Sequence, residues 1–255
     1  MTALNENKLF HIAITKEQGA KYAILPGAPE RVEMIAKFLD EPAFLARNRE
    51  FTSYSGTLCG ERVIVMSTGI GGPSAAIALE ELHMAGVRTA IRIGTCGGMQ
   101  KDIAPGDLVI ATGAVRMEGT SKEYAPIELP AVADFSVLSA LVKAAEEGGY
   151  NFHTGVIQSK DSFYGQHSPE SMPVGYKLKS KWEAWKQCGV LASEMETAAL
   201  FTVAQVRRIK MGCVLHALWN QECRSYGVAD KINFDTTMAI KTAVNALKII
   251  IQNER

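Results

Sequence analysis

The chain has 255 residues, 47% apolar and 21% charged, which suits a globular domain with a substantial core rather than a disordered or fibrous chain. Lys plus Arg and Asp plus Glu number 27 each, so the net charge is zero and neither nucleic acid nor an anionic membrane is expected as a bulk partner. Recognition of an anion must then fall to a local cluster of arginines.

The opening stretch, MTALNENKLFHIAITKEQ, has no basic segment leading into an apolar run, so no signal peptide is expected. Beyond it, short runs rich in Val and Ile alternate with longer stretches of helical period, the pattern of an α/β domain. A strand predicted over 22–25 runs into PGAPER at 26–31, with a helix over 29–38. Pro29 suits a helix start, because the N–H it lacks has no helical partner there. Gly27 allows close backbone approach to a ligand, and the helix N-terminus offers N–H groups to an anion. Arg31 in the first turn opposes the helix dipole. A bound anion accounts for it, and so does a solvated side chain.

A second strand, 62–67, feeds STGIGGPS and a helix over 74–85. The loop is not GxGxxG, so it supports a dinucleotide fold only weakly, and its glycines serve equally as a tight turn. The longest stretch free of Asp, Glu, Lys and Arg, 63–79, holds three glycines and a proline and is no membrane span. Strand 89–93 carries Arg92 inside an apolar run, and a charge there must be paired or sit at the strand's end. With the Thr95 hydroxyl and a glycine-loop N–H it makes a reasonable phosphate cradle. A carboxylate partner for Arg92 explains it as well.

Further strands are expected over 107–114, 155–158 and 212–218, and helices over 136–147, 194–206 and 236–252. Ser193 is the expected N-cap of the helix that Glu194-Met195-Glu196 opens. Acidic residues in a first turn are stabilising without a ligand, yet a carboxylate there also suits the vicinal hydroxyls of a sugar. Five widely spaced cysteines with no CxxC argue against a disulfide framework or a zinc site and fit reduced thiols in a cytosol. No linker or repeat divides the chain, so one domain over 1–255 is expected.

Taken together, several of these stretches resemble the nucleoside phosphorylase family, which includes uridine-specific and hexameric purine-specific branches. The resemblance runs over 10–250 and rests on FH at 10–11, PGxPxR at 26–31, REF at 49–51, STGIGGPS at 67–74, RIGT at 92–95, PAVADF at 130–135, DSFYGQ at 161–166 and EMET at 194–197. PAVADF and FYGQ are similar to the uridine branch in particular. The resemblance implies a three-layer α/β/α sandwich with a mixed, partly barrel-like central sheet. It implies phosphorolysis of uridine, with deoxyuridine or thymidine as further substrates, to free base and pentose 1-phosphate, in nucleoside salvage or catabolism. No cofactor is required beyond inorganic phosphate as co-substrate. A dimer-based homo-oligomer, up to a hexamer, with active sites shared between subunits is also implied.

Carried over by position, Gly27, Arg31, Arg92 and Thr95 should bind phosphate, joined by Arg49 from a partner subunit. His11 from the partner, Met195 and Glu196 should hold the ribose. Arg92, Thr95 and Glu196 are the expected catalytic set. Phe163 should stack near the base and Gln166 read its edge. Glu50, Ile70 and Ser74 fall where some relatives hold a monovalent cation such as potassium between subunits. Departures are Ala28 in place of a common Asp, and Ser168 where the uridine branch has an Arg; His167 or Arg224 is expected to replace that Arg. Asn220 stands where purine-specific members carry an acidic proton donor, which favours a pyrimidine. A purine phosphorylase, a nucleosidase using water, and a non-catalytic nucleoside-binding relative are the alternatives.

Overall fold

The computed structural model describes residues 7–223, 227 and 231–255. After a short N-terminal segment come β1 (Tyr22–Pro26), α1 (Pro29–Ala36), β2 (Asp40–Asn48), β3 (Phe51–Leu58), β4 (Glu61–Met66), α2 (Gly72–Met84), β5 (Thr89–Gly98) and β6 (Leu108–Met117). The second half contains α3 (Thr120–Tyr124), β7 (Ala131–Val132), α4 (Phe135–Glu147), β8 (Phe152–Lys160), α5 (Phe163–His167), α6 (Gly175–Gln187), β9 (Ala192–Glu194), α7 (Thr197–Arg207), β10 (Lys210–Asn220) and α8 (Thr237–Asn253).

All ten strands belong to one mixed sheet. β10 pairs with β5 in parallel and with β6 in antiparallel fashion, while the three residues of β9 bridge β8 and β5. With β6 and β8 also paired, these five strands close into a small barrel. From β5 the sheet runs on through β1, β4, β3 and β2, so the partly barrel-like sheet expected from the resemblance is present. β1 and most of β5 are buried along their whole length, as a parallel strand covered on both faces must be.

Helices cover both faces. α2 and α7 pack over one apolar cluster that includes Leu79, Leu82, Leu200 and Phe201; α1, α4 and α8 pack over a second that includes Ile35, Leu141, Val244 and Leu247. The periodicity of α8 buries Ala239, Ile240, Ala243, Val244, Leu247, Ile250 and Ile251 on one stripe. α4 is started by Asp134, whose carboxylate accepts the N–H groups of Ser136 and Val137 at 2.9 and 3.2 Å. Among the described residues no helix is long and apolar enough to cross a membrane.

Two departures from the sequence reading matter. The helix expected to open at Glu194 begins at Thr197, because residues 192–194 spend their backbone groups on the barrel, with Ser193 opposite Gly97 and Gln158. Ser193 is therefore a strand residue and not an N-cap. The β2–β3 hairpin and α6 carry no apolar periodicity: β2 is a largely exposed edge strand and α6 buries only Gly175.

Candidate active site

The carboxyl ends of the parallel strands β1, β4, β5 and β10 meet at one edge of the sheet, where α/β proteins gather ligand-binding loops. A cavity of about 780 Å³ opens there, large enough for a nucleoside together with a small anion. Gly27, Arg31, Ile70, Arg92, Thr95, Phe163, His167, Met195 and Glu196 all line it.

Its first wall is built from glycine loops. A Cβ on Gly27 would meet only the Gly69 carbonyl, at 3.6 Å, so the space beside it opens onto the cavity. Gly69 and Gly71 adopt φ of +70° and +90°, and a Cβ at Gly69 would lie 2.6 Å from Glu50 Cγ. The turn they make aims the Gly71 N–H at Glu196 Oε1, 2.6 Å away. The glycines thus serve the turn and the site at once.

Arg92 forms the centre. It is 2% exposed; its Nη2 donates to Glu196 Oε2 and lies 3.0 Å from Glu194 Oε2. Gly94 makes room for it, since a Cβ there would stand 2.9 Å from that Nη2. The sequence reading left Arg92 between a carboxylate partner and an anion; the carboxylates are present, yet its Nε and Nη1 are buried with no hydrogen-bond partner. Arg31 Nη1 is in the same state. Each such unsatisfied donor costs about 1–3 kcal/mol, which an anion in the cavity would relieve.

Burial lowers the Arg31 pKa and the nearby Arg92 lowers it further, so an anion is favoured electrostatically as well. Burial also acts against Arg92, but Glu196 and Glu194 outweigh it and the net direction is up. The two carboxylates part company. Burial would raise Glu194, but Arg92, the Ser159 hydroxyl and the N–H groups of Glu196 and Thr197 hold it below its ordinary value. Glu196 is raised by burial and by its neighbour Glu194, with Arg92 opposing.

The far wall is aromatic. Phe163 lies 4.1 Å from His167 between ring centroids, and His167 lies 5.2 Å from Trp219. Burial, with a contribution from Lys160, pushes His167 down to about 4, so its ring is neutral near pH 7 and cannot replace an arginine's charge. Gln166 sits behind this wall, its Oε1 accepting from Ser193 Oγ at 2.8 Å while its Nε2 is buried without a partner. Asn220 is not in the cavity lining: its amide N–H groups go to the Gln100 and Ile103 carbonyls at 2.7 and 2.8 Å, leaving neither for a departing base. Ser168 also stands outside the lining, and Arg224 lies outside the described residues.

Two expected site residues, His11 and Arg49, do not line this chain's own cavity. His11 Nδ1 is 2.6 Å from Glu81 Oε1, and the His11 carbonyl accepts from Asn48 Nδ2 at 2.7 Å, which puts His11 beside Arg49. Arg49 is exposed at the β2–β3 turn with φ +53°. In the same corner Glu50 Oε1 and Ser74 Oγ are 2.7 Å apart and Ile70 is 79% exposed.

The sequence reading did not single out Lys160, Trp219 or Glu194 as site residues. All three line the cavity. Glu194 lay in view in EMET but was masked by its expected helical role; a buried lysine at a strand end leaves no signal in one sequence.

A family model described as the phosphorylase superfamily matches residues 21–251. A uridine phosphorylase of Treponema pallidum is 53% identical over 245 residues, covering 96% of this chain and 95% of that protein. A uridine phosphorylase of Escherichia coli is 42% identical, covering 97% of this chain and all of its own length. A guanosine phosphorylase of Halorubrum lacusprofundi is 41% identical over 204 residues, covering 80% of each chain. With the glycine loops, the paired arginines and the closed barrel in place, the chain belongs to the phosphorylase superfamily.

Proposed function

We propose that this chain cleaves uridine by phosphorolysis, yielding uracil and ribose 1-phosphate, and that it takes deoxyuridine or thymidine as lesser substrates. The observation that carries the reading is the set of orphaned guanidinium donors of Arg31 and Arg92 in the same cavity as the Glu196 carboxylate. An anion satisfies the first, and the vicinal hydroxyls of a sugar suit the second. The similarity to uridine phosphorylases over nearly the whole chain supplies the nucleoside.

In this reading phosphate rests among Gly27, Arg31, Arg92 and Thr95, beneath the anomeric carbon. As the N-glycosidic bond breaks, the sugar ring turns positive and the base negative. The phosphate stabilises the ring and then attacks it. Glu196 grips the 2′- and 3′-hydroxyls, with Met195 as an apolar floor. Phe163 and Gln166 face the base, together with neutral His167 and, by resemblance, Arg224. Positioning and preorganised charge supply the rate. Cys96 also borders the cavity, but burial raises its thiol pKa far above neutrality, so it is no thiolate nucleophile there.

Product analysis with uridine, thymidine and inosine, each with and without phosphate, tests the reading. Uridine should be cleaved at least about tenfold faster than inosine, because no acidic group stands at Asn220 to protonate a purine. Base release that is equal without phosphate would make the chain a nucleosidase instead. Inosine as the better substrate would move it to the purine branch.

The proposal includes a dimer-based homo-oligomer, a hexamer by resemblance, in a cytoplasmic setting that suits five free thiols. What supports it is the corner formed by His11, Arg49 and Glu50, flanked by Phe10 at 58% and Ile70 at 79% exposure. Seated on a second copy, that corner would bring His11 to the partner's ribose and Arg49 to its phosphate. The Glu50 and Ser74 oxygens suit a monovalent cation such as potassium held at that seam. Co-refolding Arg49→Ala with Arg92→Ala should then restore activity above the sum of the two variants, since some sites regain both arginines from different chains. Hetero-oligomers no more active than either parent would place both residues within one subunit's chemistry.

A further inference from the structure

His11 stands in a tight turn over 9–14, closed by the Leu9 N–H on the Ile14 carbonyl at 2.9 Å and the Ala13 N–H on the Leu9 carbonyl at 3.0 Å. Ile12 and Ile14 anchor the turn in the core, while Phe10 is exposed and His11 half-buried. Two buried isoleucines fix the backbone, but they leave the imidazole free to rotate about its own side-chain bonds. Its direction is settled by a residue 70 positions further along the chain.

That residue is Glu81 of α2, which is 8% exposed. Its carboxylate faces this one short segment: Oε1 and Oε2 accept the His11 N–H at 3.1 and 2.9 Å, and Oε2 accepts the Ile12 N–H at 2.9 Å. Oε1 also lies 2.6 Å from His11 Nδ1. No lysine or arginine pairs with Glu81 among the described residues. Pinning the backbone alone would need a single acceptor oxygen, and a neutral amide would supply it without burying a charge. The second oxygen serves the ring. A carboxylate can only accept, so His11 Nδ1 carries a proton and the ring tautomer is set. Phe10 braces the imidazole edge-on, with 4.7 Å between centroids and 78° between planes. Nε2, across the ring from Nδ1, makes no hydrogen bond among the described residues.

We propose that Glu81 is a positioning residue for the partner's active site, fixing the tautomer and direction of His11 so that Nε2 meets the 5′-hydroxyl of the ribose bound in the neighbouring subunit. The inference rests on the phosphorolysis reading above and on the shared site within it. Glu196 takes the 2′- and 3′-hydroxyls in that reading, so the hydroxyl left for His11 is the 5′ one. Glu81 touches neither nucleoside nor phosphate; it acts through the imidazole and in the other subunit's cavity. The carboxylate behind a metal-bound or catalytic histidine fixes its ring in the same manner.

A mere anchor for the turn and a positioning residue differ in what their loss does. In Glu81→Gln the amide oxygen can still accept the His11 and Ile12 N–H groups, so the turn stays in place. The amide nitrogen then faces Nδ1 and donates to it, which moves the proton of the neutral ring to Nε2 and changes what the ribose meets.

The experiment measures uracil release from uridine and from 5′-deoxyuridine, each with phosphate, by the full-length parent, Glu81→Gln, His11→Ala and the double variant. Glu81→Gln should lose about tenfold in kcat/KM for uridine, the worth of one well-placed hydrogen bond. It should stay within about twofold of the parent for 5′-deoxyuridine, which has no hydroxyl there to position. In the double variant Glu81→Gln should add no loss to that of His11→Ala, because a residue acting through His11 is silent once the imidazole is gone. Co-refolded with Glu196→Ala, Glu81→Gln should give activity above the mean of the two, since mixed pairs hold one cavity with Glu196 intact that faces a partner with Glu81 intact. Should Glu81→Gln not assemble, Glu81→Asp, whose carboxylate falls short of the ring, carries the same comparisons. Equal losses on the two substrates, additive losses in the double variant, or no gain from hetero-oligomers shown to form would overturn the proposal while leaving phosphorolysis standing. A parent that cleaves uridine and 5′-deoxyuridine equally well would overturn it too, by removing the His11 contact. A parent that releases no uracil from uridine and phosphate overturns the phosphorolysis reading itself.

Discussion

Arg92→Ala is expected to lower kcat/KM for uridine phosphorolysis by about 10²–10³ and to destabilise the fold as well. The catalytic loss follows from removing the guanidinium, whose buried and unpartnered Nε and Nη1 are among the donors the proposed function assigns to phosphate. The stability loss has a separate cause. Arg92 stands between two buried carboxylates, 3.0 Å from Glu194 and hydrogen-bonded to Glu196, and without it they confront each other in a dry site. Breaking a buried pair in this way typically costs about 3–5 kcal/mol, or roughly 6–20 °C in Tm for a chain of this size.

The pH dependence gives this prediction an internal check. Glu194 is held below its ordinary carboxylate value, so the stability it contributes is present at neutral pH and is lost as pH falls through its folded-state value. In Arg92→Ala the part of that contribution that Arg92 supplies is already gone. The gap between parent and variant should be widest near neutrality and narrow on acidification. Denaturant titrations at several pH values would read it, and a gap that stays constant or grows toward acid would refute the buried-triad account. Arg92→Lys keeps a charge but not the fork, so it should recover stability better than activity.

The second large effect separates two carboxylates that lie two residues apart in sequence. Glu194→Ala should cost mainly stability, about 3–5 kcal/mol. Glu194 accepts the Ser159 hydroxyl at 2.5 Å and the N–H groups of Glu196 and Thr197 at 2.9–3.0 Å, besides pairing with Arg92. Its removal strips the first turn of α7 of its acceptor and frees Arg92. Glu196 has fewer structural duties: the Gly71 N–H and one arm of Arg92. Glu196→Ala should therefore lose about 10²-fold in kcat/KM through the ribose, at a stability cost of about 1–2 kcal/mol. Chemical denaturation beside steady-state kinetics distinguishes the two. Equal denaturation midpoints for the parent and Glu194→Ala would show that Glu194 is not the structural member.

Several parts of this account are legible in the amino-acid order because they depend on local chemistry. The runs at β1, β4 and β5 read as buried strands, and the stripe on α8 reads as a core-facing helix. PGAPER and STGIGGPS mark turns, and RIGT marks a stretch of β5 where glycine leaves room for the Arg92 side chain; each borders the cavity. β2 escaped that reading because an exposed edge strand needs no apolar alternation, and β3 because two of its buried positions are Ser53 and Gly56. α6 escaped because a helix that buries little has no stripe.

By itself, then, the sequence determined the class of fold, the glycine loops, and which arginines interrupt an apolar strand or a helix's first turn, since backbone conformation and burial period are written in neighbouring residues. Tertiary structure decided the roles of residues whose partners are remote in the chain. Closing the barrel with residues 192–194 made Ser193 a strand residue and turned Glu194 inward to Arg92, more than a hundred residues away, overriding the local helix signal. The same closure brought Lys160 of β8 against Ser193 of β9, 2.9 Å apart, and so set the direction in which Gln166 points its amide. A buried charge is defined by what surrounds it, and those surroundings exist only once the sheet has closed.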